Sequence, residues 1–118
     1  MNIALPPALP SYPKRRYLKL VLMDLHLREI TLADATAAAS LSGELGYPAS
    51  PEVMQQRITS LSPDHVVYVA CLEKEVAGWI DVSVTHHLQS EPRAEIGGLV
   101  VSSKLRSRGI GRVLVARA

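Results

Sequence analysis

Two runs of β-branched and apolar residues, Val66–Leu72 and Val76–Thr85, are separated only by Glu73-Lys74-Glu75. Each run has the composition of a strand, and three charged residues between them leave space for a tight turn and nothing more. The two must therefore pair as an antiparallel hairpin. An isolated hairpin is marginal in water, so the chain is committed to a larger sheet with other elements packed on it. In the second run Val76, Gly78, Ile80, Val82 and Val84 are expected on one face. Ala77, Trp79, Asp81 and Ser83 then share the other.

The flanking sequence supplies the rest of the sheet and its helices. Leu25, Leu27 and Ile30 alternate with polar residues as in a half-buried strand. Thr31-Leu-Ala-Asp34 has the spacing of a capping box, and the alanine-rich helix it opens is expected to reach Leu45. Gly46 and Pro48 end that helix. Ser50-Pro51-Glu52 starts a second one with a capping hydroxyl, a proline at the first helical position and a carboxylate in the first turn; it is expected to run to about Leu61. Leu88–Pro92 reads as a loop and Arg93–Val101 as a further strand, with the Gly97-Gly98 pair marking a bulge or a close backbone approach. A last helix opens after Gly109. Strand, two helices, three strands and a helix give an α/β protein of the mixed α+β kind rather than repeated βαβ units.

Composition and charge narrow the function classes. The 118 residues suit one small domain, and 47% hydrophobic with 20% charged residues excludes disorder over most of the chain. Residues 1–23 carry Lys14, Arg15, Arg16 and Lys19 and no acid; this local +4 against an overall +2 leaves −2 for the body, residues 24–118. The basic charge sits in a Pro-punctuated leader, expected to be a poorly ordered extension, and not on a folded face. Nucleic acid is therefore not the expected partner. No apolar run approaches the roughly 20 residues that a membrane crossing requires, and no secretory signal pattern is evident. The single cysteine, Cys71, precludes an internal disulfide, suits a reducing compartment, and points to a cytoplasmic protein. It lies in an apolar strand and reads as a small buried residue. His86 and His87 point to opposite strand faces and lack companion ligands, so no metal site is expected.

The chemistry is concentrated between Glu95 and Arg112. An apolar strand is followed by a basic turn, and Gly109 and Gly111 stand where a helix begins. The first turn of a helix has N–H groups without intrahelical partners and a partial positive charge, which together hold anions. The glycines let backbone approach a ligand closely, and Arg106, Arg108 and Arg112 can fork onto phosphate oxygens. The turn reads as a phosphate cradle, against the simpler alternative of a solvated basic turn. It is no P-loop, because no Lys-Ser or Lys-Thr follows, and no dinucleotide fingerprint, because Leu114 stands where a third glycine is needed.

At these residues the sequence resembles the GNAT superfamily of acetyl-CoA-dependent N-acetyltransferases. The family's Q/R-x-x-G-x-G/A motif stands here as Arg106-Ser107-Arg108-Gly109-Ile110-Gly111. The resemblance extends from about Asp24 to Ala118 and implies the order β1-α1-α2-β2-β3-β4-α3. It implies that the backbone of Arg106, Ser107, Arg108, Gly109, Ile110, Gly111 and Arg112 binds the pyrophosphate of acetyl-CoA, and that Leu99, Val100 and Val101 pair with its pantetheine arm. A strand edge is a sensible acceptor for such amides. The resemblance also makes Glu95 the base that removes a proton from the acceptor amine, and the backbone N–H near Leu99 the group that polarises the thioester carbonyl. The acceptor is then a primary amine, attacked upon directly, since no activated Ser or Cys is visible.

The family's pattern continues beyond its third helix with further strands and a helix. The expected fold is thus GNAT-like but lacking its last strands and helix, completed by a longer chain, another protein or a second copy in a homodimer. A catalytically silent CoA-binding module and a pure interaction domain are the alternatives. Asp81 and Trp79 share a face that lines an acceptor pocket or packs on a helix, and Tyr47 between the first two helices has the same two readings.

Overall fold

The computed structural model describes residues 25–105 and 109–118. The expected extension at residues 1–23 lies outside them. Strand β1 (Leu25–Glu29) leads through a short 3-10 turn, Leu32–Asp34, into α1 (Ala35–Leu45) and α2 (Pro51–Thr59). Strands β2 (His65–Leu72), β3 (Glu75–His87) and β4 (Ser90–Val101) follow, then α3 (Ile110–Arg117). The strands form one sheet in the order β1-β2-β3-β4, every neighbouring pair antiparallel.

Helices cover both faces. On one, α3 sets Ile110, Val113 and Leu114 against Leu25, Leu27, Ala70, Leu72, Ile80 and Val82. On the other, α1 lies across β3 and β4, with Ala35, Ala38, Ala39 and Leu41 buried. Val67, Val69, Cys71 and Val100 are buried strand residues of that side. The buried residues on both faces of the two inner strands are thus apolar, in keeping with their β-branched stretches.

Two departures from strict alternation reset the faces. Ala70 pairs with Gly78 but Cys71 pairs with Val76, so Ala77 is an extra residue on β3. Ala77 consequently joins the α3-side core, whereas alternation alone puts it with Trp79. Asp81 pairs with Gly98 but Val82 with Ile96, which makes Gly97 the extra residue on β4 and confirms the bulge expected at the glycine pair. At Gly78 a Cβ would stand 2.6 Å from the Val100 carbonyl oxygen, so only glycine permits this approach of β3 and β4.

Element ends follow local chemistry. Ser50 Oγ accepts the Val53 N–H at 3.1 Å and starts α2, which closes at Thr59, two residues earlier than expected. Gly46, with φ of 100°, ends α1 in the left-handed region, and the Tyr47 N–H donates to Ser42 O at 2.9 Å. The expected Leu88–Pro92 loop is shorter: β3 continues to His87, the turn is Leu88-Gln89, and Pro92 lies within edge strand β4 beside a register shift, where its missing N–H is tolerated. The β2–β3 turn uses Glu73 and Lys74 at φ of 51° and 72°, a two-residue hairpin in which neither residue is glycine.

Asp34 ties the start of α1 to β1. The Arg28 guanidinium donates to both its oxygens at 2.7 and 2.8 Å, and the Thr31 N–H adds a third bond at 2.7 Å. Asp34 is buried, yet the hydrogen bond from Arg28 outweighs burial and holds its carboxyl below the usual carboxylate range.

Two stability predictions follow from these contacts. Lys74→Gly relieves a left-handed side chain, so the urea unfolding midpoint should rise by the equivalent of about 1 kcal/mol. Because the Asp34 carboxyl is lowered on folding, its contribution is complete above the unfolded carboxylate range, at about pH 4, and is lost as pH falls through the lower folded value. Asp34→Asn should therefore cost roughly 2 kcal/mol at neutral pH, discounted for the partly exposed Arg28, and less in acid. A pH-independent difference between the two proteins would contradict this.

Candidate active site

The end of β4, the turn after it and the head of α3 form one corner of the molecule. Leu99, Val100 and Val101 pair with Ile80, Trp79 and Gly78, and β4 is an outer strand of the sheet among the described residues. Val100 is buried on the α1 side, while Leu99 and Val101 pack partly against the α3-side core. The Ser102 N–H donates to Ala77 O at 2.7 Å and the Leu105 N–H to Ser102 O at 2.9 Å, which fixes the start of the turn. The Ser103 N–H donates to the Glu44 carboxylate at 2.8 Å, tying the turn to α1.

Arg106, Ser107 and Arg108, three of the cradle positions, lie outside the described residues. Gly109 follows with φ of 88° and occupies the N-cap position of α3. That left-handed backbone is where glycine is needed, and glycine brings no capping side chain of its own. Ile110 is buried, so only its backbone faces outward, and Arg112 is exposed. A Cβ on Gly111 would meet only a Val101 methyl, at 3.7 Å, so the protein's own packing does not demand glycine there.

A second group of polar side chains occupies the α1 side of the sheet. Asp81 stands opposite Gly98, and a Cβ on the bulged Gly97 would lie 3.3 Å from its carboxylate. His65 Nε2 is hydrogen-bonded to Asp81 Oδ1, both side chains being about one third exposed, at 31% and 32%. Trp79 shares this face; its six-membered ring crosses Gly98, where a Cβ would be 3.0 Å away, and its buried Nε1–H has no hydrogen-bond partner. Asp81 and Trp79 thus share a face, as alternation along β3 implies, and both meet the glycine pair.

Glu95 stands opposite Ser83 and accepts a hydrogen bond from Thr85 Oγ1 at 3.2 Å. It is exposed rather than partly buried, because Glu91–Gly97 forms the solvated arm of β4. Tyr47 is 70% exposed, so most of its side chain is free of the core. Cys71 is buried. His86 lies 3.3 Å from Asp64 on the surface. Among the described residues no group of three or more potential ligands is placed to hold a metal ion. His65 was missed in the sequence, since nothing local marks a histidine at a strand start and only the register brings it to Asp81.

Residues 27–118 match the model of the Acetyltransferase (GNAT) family. The chain belongs to the GNAT acetyltransferase family. Its enzyme class is accordingly that of the N-acetyltransferases, which use acetyl-CoA, and the element order implied by the resemblance is the one found. No curated protein sequence matches the chain. Among solved structures, a GNAT family acetyltransferase of Staphylococcus aureus is similar over 79% of this chain and 73% of its own, with 19% identity and a TM-score of 0.70. The glucosamine-6-phosphate N-acetyltransferase of Arabidopsis thaliana is 19% identical over 79% of this chain and 70% of its own, with a TM-score of 0.68. AAC(6′)-Iy, in complex with the bisubstrate analogue CoA-S-monomethyl-acetylneamine, is 17% identical over 79% and 67%, also with a TM-score of 0.68. At these identities the likeness establishes the fold. Among the described residues of this GNAT domain, no helix is long and apolar enough to cross a membrane.

Proposed function

We propose that this GNAT domain moves an acetyl group from acetyl-CoA to a primary amine by direct attack. The observation that carries the reading is the left-handed Gly109 at the head of α3, set immediately beyond the strand end Leu99–Val101. A helix start of this kind favours a diphosphate through its N–H groups and dipole. Arg106–Arg112 is the proposed cradle, and Leu99, Val100 and Val101 the proposed partners of the pantetheine arm. The N–H near Leu99 then polarises the thioester carbonyl, and Glu95 receives the amine's proton, directly or through water. The neutral amine attacks the carbonyl carbon, the C–S bond breaks, and CoA leaves as a thiol.

The acceptor side is the Trp79 and Asp81 face, where a carboxylate beside an aromatic ring suits a cationic amine. The amino sugars named with two of the similar structures are reasonable first acceptors to try. A cytoplasmic setting fits this reading, since the Cys71 thiol stays reduced there.

Two measurements test the assignment. Gly109→Asn keeps a residue that tolerates the left-handed region while adding a side chain at the cradle. Its fold should persist by circular dichroism, and its acetyl-CoA Kd should weaken at least tenfold. An affinity within threefold of the parent would overturn the cradle. Glu95→Gln should lower turnover in a thiol-release assay by about tenfold while sparing acetyl-CoA binding, less than the roughly 10²–10⁴-fold typical of a proton acceptor because the carboxylate is solvated. Unchanged turnover would remove Glu95 from the reaction, and binding without thiol release by the parent would make the protein a CoA-binding module.

A further inference from the structure

This inference rests on the acetyl-transfer reading and names a residue outside Arg106–Arg112 that sets the position of the cradle. Helix α1 ends with Glu44 and Leu45. The negative end of a helix dipole disfavours a carboxylate in the last turn, and α1 has no basic residue there to offset one. Glu44 nevertheless stands at that place, on the exposed side of the helix. Its carboxylate is engaged at long range: the Ser103 N–H donates to it at 2.8 Å, across 59 positions of sequence.

Ser103 lies in the turn that carries the chain from β4 to the head of α3. Two further bonds hold the start of this turn, from the Ser102 N–H to Ala77 O at 2.7 Å and from the Leu105 N–H to Ser102 O at 2.9 Å. Both run from backbone to backbone, and they tie the turn to the sheet and to itself. Glu44 ties it to α1 with a side chain, through a charge-assisted bond of the stronger kind. The turn continues to Gly109, whose left-handed backbone opens α3, so a shift at Ser103 carries forward to the amides proposed to face the diphosphate. A ligand held by several N–H groups binds best when they are in place beforehand, because ordering them on binding subtracts from the affinity. The next residue, Leu45, reaches the acceptor side, with Cδ2 3.8 Å from where a Cβ on Gly98 would stand. The last turn of α1 thus touches both halves of the proposed site.

We propose that Glu44 is a positioning residue for acetyl-CoA: it fixes the turn after β4 to α1 and so presets the diphosphate cradle. It touches no reacting atom. Its contribution comes from the accepting oxygen and not from the charge, because a negative charge beside a turn that receives a diphosphate opposes that ligand. The two effects have opposite signs, which makes them separable by substitution. Glutamine keeps an accepting oxygen and removes the charge. Methionine keeps the length and the helix propensity and removes both oxygens.

The test measures acetyl-CoA binding by titration calorimetry for the parent chain, Glu44→Gln and Glu44→Met, together with the urea midpoint of each and the backbone amide resonance of Ser103. Glu44→Met should weaken the Kd about tenfold, the loss of one charge-assisted bond at an exposed position. Glu44→Gln should bind within about threefold of the parent or more tightly, with any gain fading as salt is raised. The Ser103 amide proton should move upfield in Glu44→Met and less in Glu44→Gln. The three urea midpoints should agree closely, since removing a charge that the helix dipole disfavours offsets the lost bond. Three results overturn the proposal and leave the cradle intact: a Glu44→Met Kd within about twofold of the parent, whether or not its urea midpoint falls; tighter binding by Glu44→Met, which would make the carboxylate an obstruction; or equal losses in both variants. A parent chain that binds no acetyl-CoA overturns the cradle and this proposal together.

Discussion

The close approach of β3 and β4 at Gly78 is the constraint on which the corner depends. With a would-be Cβ 2.6 Å from the Val100 carbonyl, no other residue lets the two strands pair in this register. That register sets Trp79 opposite Val100 and Asp81 opposite Gly98. A one-residue slip would turn Asp81 into the core beneath α3 and bring Ile80 out under α1. Ile80 is fully buried and packs with Leu114, so the slip would forfeit apolar burial and leave a carboxylate unpaired in its place. Steric fit at one glycine and burial at one isoleucine thus select the same alignment.

The glycine pair one turn of the pleat away has a different purpose. Gly97 is the residue β4 inserts, and Gly98 lies beneath the Trp79 ring. A side chain at either position would press on Asp81 or Trp79, the two groups that give this face its chemistry. The bulge interrupts the β3–β4 ladder at this point and bends β4. Its consequence is that the strand has two halves of different character. Glu91–Gly97 is exposed, whereas Val100 is buried.

Much of the fold was legible because the determining signals are local. The Ser50-Pro51 start, the Gly46 stop, the charged turn between β-branched runs and the glycine pair each act within a few residues of where they stand. What the sequence hid are the consequences of pairing. Ala77 changes face because β2 and β3 skip a residue there, and no composition rule marks that step. Pro92 inside a strand reads as a loop until the strand is known to be at the edge. Thr59 ends α2 before the apolar pattern does, for which the sequence carries no distinct stop signal.

The site divides in the same way. The Arg-x-x-Gly-x-Gly pattern was readable because its residues stand at fixed spacing along the chain, and Gly109 takes the left-handed conformation in which glycine is favoured. Side-chain pairs face no such demand. They need only converge in space, so His65 and Asp81, sixteen positions apart, become partners through the β2–β3 register alone. The exposure of Glu95 is a consequence of the same kind: the residue belongs to the strand that carries the motif, but nothing local marks Glu91–Gly97 as the solvated arm of β4. Chemistry supplied by the backbone is written along the chain, and chemistry supplied by side chains is written across the sheet.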